Sequence, residues 1–191
     1  YPTKNLGAYG DGGAIFTNDD KLAKKIKMIA NHGESKKYHH KTIGCNSRLD
    51  SIQAEVLNVK LKYLNDYNNA RNQMAENYNK AFSSVEELLI PELNKNSTHV
   101  YHQYTLRVHP IYRDSLRLYL KGKGIDNRIY YPIPLHKQKV FSKIVDPNYN
   151  LPNTNLLSAT CLSLPIHTEL ENSDQEYIIE NVISFFKWKE K

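Results

Sequence analysis

A stretch without helix-breaking residues dominates the middle of the chain. No glycine or proline occurs between Gly44 and Pro91, and these are the residue types that most often end helices. Apolar side chains recur there at helical spacing, interrupted at Arg71: Leu57, Leu61, Leu64, Tyr67, Met74, Tyr78 and Phe82. We therefore predict a long helix over residues 51–82, capped by Ser47 and Asp50. A helical span of this length either breaks once or bridges two domains, so we place the domain junction here.

The segments on either side of this helix mix strand and helix patterns. Upstream, residues 14–17 predict a short strand, followed by a helix that ends near Gly33 and by a loop at residues 36–44. Downstream, we predict three strands and three helices: strands at 101–108, 125–131 and 162–165, and helices at 112–121, near 159 and from 173 onward. A strand followed by a helix is the unit of an α/β sheet, and the shorter mixed elements indicate a small α+β domain.

The composition limits the size and the partners of the protein. The chain has 191 residues, of which 40% are hydrophobic and 24% charged, which suits one compact unit or one domain with part of another. Its formal charge of +6 permits acidic partners such as nucleotides or phosphates. The lysines of residues 21–27 alternate with apolar residues, as on a solvated amphipathic helix. Basic and aromatic residues do not interleave on one predicted sheet face, so we expect no nucleic-acid partner.

The cysteine and histidine content favours neither disulfides nor a metal site. Cys45 and Cys161 lie far apart, and we predict two buried thiols in a reducing compartment. His39 and His40 are adjacent, so their side chains point apart, and we expect no bound metal. The chain shows no signal peptide and no apolar run long enough to span a bilayer, so we predict a cytoplasmic protein without a membrane partner.

A lysine beside a glycine cluster is the strongest candidate for chemistry. Lys4 follows a proline and precedes four glycines within ten residues: Gly7, Gly10, Gly12 and Gly13. Glycines let a backbone approach a ligand closely, and a lysine amine in a crowded pocket has a lowered pKa that favours imine formation. The cluster is neither a P-loop nor a dinucleotide fingerprint, because the closing Lys-Ser/Thr and the preceding strand are both missing. From the residues alone, a surface lysine beside a flexible turn is the favoured interpretation.

The chain resembles the DegT-like sugar aminotransferases along essentially its whole length. The cofactor-lysine segment of that family is similar to Pro2-Thr3-Lys4-Asn5-Leu6-Gly7 followed by Gly10-Asp11-Gly12-Gly13-Ala14. Further motifs that resemble the family follow in the same order as in its members: Asn31-His32-Gly33, Gly44-Cys45-Asn46-Ser47-Arg48-Leu49-Asp50, Gln53-Ala54, Tyr131-Pro132-Ile133-Pro134-Leu135-His136 and Leu164-Pro165-Ile166-His167. The resemblance implies a C-terminal part of the fold-type-I transferase architecture, which depends on pyridoxal phosphate (PLP). Its domains would be a large-domain remnant (1–50), a connecting helix (51–82) and a small α+β domain (83–191).

The resemblance also assigns roles to individual residues. Lys4 resembles the lysine that binds PLP as an imine and moves the proton after glutamate has displaced it. Asn46 resembles the asparagine that reaches the cofactor phosphate of the partner in a homodimer, and we rank this role above the alternative of a simple helix N-cap. Arg48 resembles an arginine placed near the anionic parts of the substrate, or it forms a surface ion pair. Tyr130, Tyr131 and His136 resemble residues near the sugar, although an aromatic pair before prolines is often packing.

The substrate that the resemblance implies is a nucleotide-linked keto sugar. The sequence from Gly44 to Gln53 is similar to the branch that aminates a UDP-linked 2-acetamido-3-keto sugar acid for bacterial surface polysaccharide. The alternative branch aminates 4-keto-6-deoxy sugars. In the family, the aspartate that pairs with the pyridine nitrogen precedes the lysine, so we expect the chain alone to be inactive. A second hypothesis from another class is a non-catalytic interaction domain left from such an enzyme.

Overall fold

The computed structural model describes residues 1–146 and 148–187, which form two compact units, Tyr1–Asn65 and Asp66–Lys191. Residues 147 and 188–191, which fall within the predicted C-terminal domain, lie outside the described residues. No helix of the described part is both long and apolar enough to cross a membrane.

The first unit contains two helices and a short hairpin. Helix α1 (Asp20–Ala30) confirms the predicted helix, and the carboxylate of Asp19 caps it by accepting the N–H groups of Lys21 and Leu22 at 2.8 and 3.1 Å. Strands β1 (Glu34–Lys36) and β2 (His39–His40) pair antiparallel where we predicted a loop. Tyr38, in the left-handed region with φ of 68°, makes the tight turn between them.

The strand predicted at residues 14–17 is wrong. These residues form no regular structure, and Ile15 and Phe16 are 72% and 91% exposed. A strand needs a neighbour that accepts and donates its backbone hydrogen bonds, and no strand among the described residues pairs with this segment. The segment is mostly apolar, but no described strand pairs with it.

The single helix predicted over residues 51–82 is two helices. Helix α2 (Ser51–Leu61) ends where the N–H of Tyr63 bonds to the carbonyl of Lys60 at 3.1 Å, a shorter-range bond than an α-helix makes. Helix α3 (Leu64–Phe82) follows. The predicted capping pair is also wrong, because Asp50 precedes α2 without a side-chain hydrogen bond to it.

The second unit packs helices against a three-stranded antiparallel sheet. The strand order is β3 (Leu88–Leu89), β4 (Tyr104–Val108), β5 (Cys161–Leu164). The helices are α3, α4 (Pro110–Gly122), α5 (Pro152–Thr160) and α6 (Asn172–Lys187), with two 3₁₀ turns at Leu135–Lys137 and Lys139–Phe141. The strands and helices predicted near 104, 112, 159, 162 and 173 are therefore confirmed, with small shifts of their ends.

The strand predicted at residues 125–131 reduces to one bridge. Arg128 and Ser163 exchange two backbone hydrogen bonds of 3.1 and 2.7 Å, and the pairing goes no further. The amide of the buried Asn127 donates to the carbonyls of Arg117 and Ile125 at 3.2 and 3.1 Å, which curls the chain before the bridge. Local side-chain bonds of this kind compete with strand pairing.

The core of the second unit is aromatic and aliphatic. Burial alternates along β4 with Tyr104, Leu106 and Val108 inside, as a strand with one buried face requires. Arg71, which interrupts the apolar stripe, is buried as well, and its Nη1 donates to the carbonyls of Tyr101, His102 and Ile166 at 3.2, 3.3 and 2.8 Å. Burial lowers the pKa of this guanidinium.

Candidate active site

The segment that carries Lys4 is a loop folded back on itself. The backbone N–H of Lys4 donates to the carbonyl of Tyr1 at 3.0 Å, which closes a turn. A Cβ on Gly7 would lie 2.5 Å from the carbonyl oxygens of Tyr1 and Pro2, so only glycine allows this close approach. The Lys4 side chain is exposed, and the described residues do not form the crowded pocket that we expected around it. The Lys4 side chain is thus accessible on this loop.

Helix α2 fastens this loop at two points. The side-chain oxygen of Gln53 accepts the N–H of Tyr9 at 2.7 Å, and the ammonium of Lys60 donates to the carbonyl of Gly7 at 2.7 Å. Gln53 appeared in the sequence only as a motif position, and Lys60 was not noticed. The signal that could have found them is their spacing of seven residues, which places both on one face of the helix.

The strand-like segment with Asn46 is tied to the end of α1. The N–H groups of Cys45 and Ser47 donate to the carbonyls of Ile29 and Ala30 at 2.8 and 2.9 Å, and the carbonyl of Cys45 accepts the N–H of His32 at 2.9 Å. These bonds satisfy carbonyls that the C-terminus of a helix leaves open. They also fix the position from which the chain after Ser47 continues past the end of α1.

Asn46 and Arg48 contact each other in this segment. The Nε of Arg48 donates to the Oδ1 of Asn46 at 2.8 Å, and both side chains are exposed. The residue that precedes α2 is Asp50, so the N-cap reading of Asn46 is wrong. The partner of Arg48 is an amide oxygen rather than a carboxylate, so the ion-pair reading finds no support either. The pair forms a fixed polar group on the surface of the first unit.

The two cysteines differ in their environment. Cys161 on β5 is buried, as predicted, and burial raises the pKa of its thiol. Cys45 is exposed, which corrects the prediction of a buried thiol. The hydrogen bonds of Cys45 itself, with Ile29 and His32, use its main chain. Among the described residues no three His, Cys, Asp or Glu side chains converge as metal ligands would.

The remaining predicted site residues belong to the second unit. Tyr130 and Tyr131 are 40% and 72% exposed, and their rings meet nearly at right angles with centroids 5.6 Å apart. Such exposure argues against a purely packing role for Tyr131. His136 lies on a 3₁₀ turn, edge-on to Tyr149 at 6.3 Å, and its buried Nε2 has no hydrogen-bond partner among the described residues. A buried ring nitrogen of this kind is suited to a ligand or a water.

The comparison with known families decides the identity. Residues 1–183 match the family described as "DegT/DnrJ/EryC1/StrS aminotransferase family". The chain belongs to this family. A relative from Geobacillus stearothermophilus called "Pleiotropic regulatory protein" is 42% identical over 98% of the chain and 50% of its own length. The "UDP-2-acetamido-2-deoxy-3-oxo-D-glucuronate aminotransferase" of Pseudomonas aeruginosa is 39% identical over 93% of the chain and 48% of its own length.

A solved structure has the same fold. The crystal structure of DesV from S. venezuelae in complex with a ketimine intermediate superposes with a TM-score of 0.92 and 36% identity. The match covers 97% of the present chain and 49% of the DesV chain. The chain therefore spans about half the length of the curated relatives it matches. The predicted fold class, the C-terminal part of a fold-type-I PLP-dependent transferase, is confirmed.

Proposed function

We propose that Lys4 carries pyridoxal phosphate in an aminotransferase that moves an amino group from glutamate to a nucleotide-linked keto sugar. The observation that carries this proposal is the Lys4 loop. Its lysine is exposed, glycine keeps its backbone compact, and Gln53 and Lys60 of α2 hydrogen-bond to that backbone. When bound, the cofactor supplies an aldehyde that condenses with amines and a ring that withdraws electrons. The residues present are consistent with that group, because the amine is accessible and its loop is fixed.

Each site residue has a task that its geometry supports. Once glutamate has displaced it from the cofactor, the Lys4 amine would move the proton between the Cα of the amino donor and the C4′ of the cofactor. Since the Nε of Arg48 can only donate, the amide oxygen of Asn46 must face it, and the Nδ2 of Asn46 is left as a donor. That donor is suited to a phosphate oxygen, and we propose that it serves the cofactor phosphate of the partner in a homodimer. Tyr130, Tyr131 and His136 would contact the sugar.

The proposed acceptor is a UDP-linked 2-acetamido-3-keto sugar acid. Its support is the Gly44–Gln53 sequence and the 39% identity to the Pseudomonas aeruginosa aminotransferase. A 4-keto-6-deoxy sugar is the alternative acceptor.

A non-catalytic role is the second candidate function, because the Geobacillus stearothermophilus relative bears a regulatory name. Turnover of a keto sugar with glutamate by the whole protein would decide between catalysis and regulation. The 191-residue chain by itself is expected to show none.

Selective labelling of Lys4 tests the proposal. We expect that incubation with pyridoxal phosphate, reduction with borohydride and peptide mapping will place the label on Lys4 ahead of the other lysines. Lys4→Ala should abolish the absorbance of the imine. Lys95→Ala, which removes an exposed lysine of the second unit, is the matched control and should leave it unchanged. Label spread evenly over the surface lysines, with Lys4 not favoured, would contradict the assignment.

A further inference from the structure

One aspartate of the first unit is followed directly by glycine. Asp11-Gly12 is the only place in the sequence where glycine follows an Asp or an Asn. Such a pair is reactive, because the main-chain nitrogen of the second residue can attack the side-chain carbonyl carbon of the first and close a five-membered ring. Glycine favours this attack, since it has no Cβ to hinder the approach of the nitrogen. Asp11 is therefore the position in this chain where such a ring is expected to form first.

The structure leaves both reacting groups of this pair accessible. Asp11 and Gly12 are exposed and belong to no helix or strand. Among the described residues, nothing hydrogen-bonds to the Asp11 carboxylate or to the N–H of Gly12. No hydrogen bond within the described part of the protein has to break before the ring closes, and no ladder or helix holds the backbone between the two groups.

Other Asp and Asn residues that precede a small residue are restrained. At Asn46-Ser47 the nitrogen that would attack donates its N–H to the carbonyl of Ala30 at 2.9 Å. At Asn96-Ser97 the N–H of Ser97 donates to the carbonyl of Asn94 at 3.2 Å. Asp114-Ser115 lies within α4, where the backbone is held by the hydrogen bonds of the helix. The local structure thus adds to the advantage that glycine gives Asp11.

We propose that Asp11-Gly12 is a self-modifying site at which aspartate converts to isoaspartate. The Gly12 nitrogen loses its proton and bonds to the Cγ of Asp11, and one carboxyl oxygen leaves as water, which gives a cyclic imide. Water then adds to one of the two ring carbonyls. Addition at Cγ restores aspartate, whereas addition at the main-chain carbonyl breaks its bond to the Gly12 nitrogen and leaves the chain running through Cβ. The water lost in the first step is regained in the second, so no further reactant is needed.

This modification would change a backbone that packs against α2 and the residues before it. A Cβ on Gly10 would lie 3.6 Å from the Nε2 of Gln53, and a Cβ on Gly12 would lie 3.0 Å from the Cδ1 of Leu49. Gln53 also accepts the N–H of Tyr9 at 2.7 Å. Isoaspartate inserts one methylene into the main chain between these two contacts, so both cannot keep their present spacing. We therefore expect the Tyr9–Gln53 hydrogen bond to weaken in the modified chain.

Ageing of the 191-residue chain at neutral pH and physiological temperature tests the site. Protein isoaspartyl methyltransferase with labelled S-adenosylmethionine measures isoaspartate, and peptide mapping locates it. We expect the label at residue 11 ahead of every other position. Gly12→Ala should slow its appearance several-fold, because the added Cβ hinders the attacking nitrogen. Gly13→Ala is the matched control and should age as the parent does, because its Cβ would have no atom within 4 Å.

Two further measurements separate sequence from structure. Asp11→Glu should carry no label at residue 11, because the corresponding ring has one more member and closes slowly. In guanidinium, Asn46 should gain isoaspartate about fivefold faster than in the folded chain, since the ~1 kcal/mol hydrogen bond of Ser47 is lost. The rate at Asp11 should change little, because the folded chain already leaves its reacting groups without a bond.

Three results would overturn the inference: no more label at residue 11 in the parent than in Asp11→Glu, equal rates in Gly12→Ala and Gly13→Ala, or faster modification of Asn46 than of Asp11 in the folded chain. Circular dichroism shows whether each variant is folded. An unchanged exchange rate of the Tyr9 amide in the modified fraction would overturn the expected weakening of its bond to Gln53. The inference is independent of the proposed function, because Lys4→Ala should age at the parent rate.

Discussion

At the scale of single residues, the crossing of Gly33 and Gly44 fixes the Asn46 segment. Gly33 has a φ of +75°, and a Cβ there would overlap the carbonyl oxygen of Thr42. A Cβ on Gly44 would overlap the N–H of Gly33. The two backbones therefore pass in direct contact, which glycine alone permits. The Asn46–Arg48 pair owes its position to this contact and to the bonds at the end of α1.

We expect Gly33→Ala to destabilise the first unit by about 3 kcal/mol or more, because a strained φ and a backbone overlap add together. Hydrogen exchange of the amides of Cys45 and Ser47 reports the loss directly, since both bond to α1. Gly122→Ala is the control, because no atom lies within 4 Å of its Cβ position at the end of α4. It should be neutral or stabilise the protein by less than about 1 kcal/mol. Equal effects of the two substitutions would contradict the role given to Gly33.

At the scale of elements, α2 is the support of the Lys4 loop. Gln53 and Lys60 hold backbone groups that precede them by 44 and 53 residues in the sequence. Contacts of this range leave no trace in local periodicity, which is why the sequence pointed to Lys4 through its family resemblance but not to the residues that position it. The helix thus links the folding of the first unit to the placement of the amine.

Gln53→Ala should loosen the loop without unfolding α2. Loss of its hydrogen bond to Tyr9 is expected to speed exchange of the Tyr9 amide about fivefold, which corresponds to the ~1 kcal/mol net value of one such bond. Labelling of Lys4 by pyridoxal phosphate should become less selective at the same time. Asn58→Ala on the same helix is the matched control, because the hydrogen bond of its side chain, to Glu55 at 3.3 Å, stays within α2. An unchanged Tyr9 amide in Gln53→Ala would refute this role.

The elements also show which sequence patterns are sufficient. Strand β4 and helix α6 were predicted because their apolar periodicity faces a core that the same unit supplies. The segments 14–17 and 125–131 were predicted as strands as well, but among the described residues they lack a complete pairing partner, and strand propensity alone does not form a ladder. The break between α2 and α3 occurs without glycine or proline, so the residue types do not predict its position. Asn46 and Arg48 were recognised by resemblance, whereas their mutual hydrogen bond required the structure.

At the scale of the whole molecule, the two units differ in their stabilisation. The buried apolar side chains of the described residues lie in the second unit, with Ala8 as the exception. The first unit instead exposes large apolar groups, among them Phe16, Ile43 and Ile52. Its order depends on backbone hydrogen bonds and glycine contacts, which contribute less than hydrophobic burial does. The proposed site residues Lys4, Asn46 and Arg48 therefore belong to the unit with the smaller core.

Hydrogen exchange over the whole chain should separate the units. We expect the amides of β4, β5 and α6 to be protected at least a hundredfold more than those of α1 and α2, because opening the second unit exposes its core and opening the first exposes little. Leu116→Ala, at a fully buried position of α4, should lower the protection of the second unit by about 3 kcal/mol. Leu118→Ala, at an exposed position of the same helix, is the control and should have little effect. Protection of α1 should be the same in both variants, since its amides open through local events. Equal protection of α1 and β4, or loss of both together in Leu116→Ala, would show one cooperative unit instead of two.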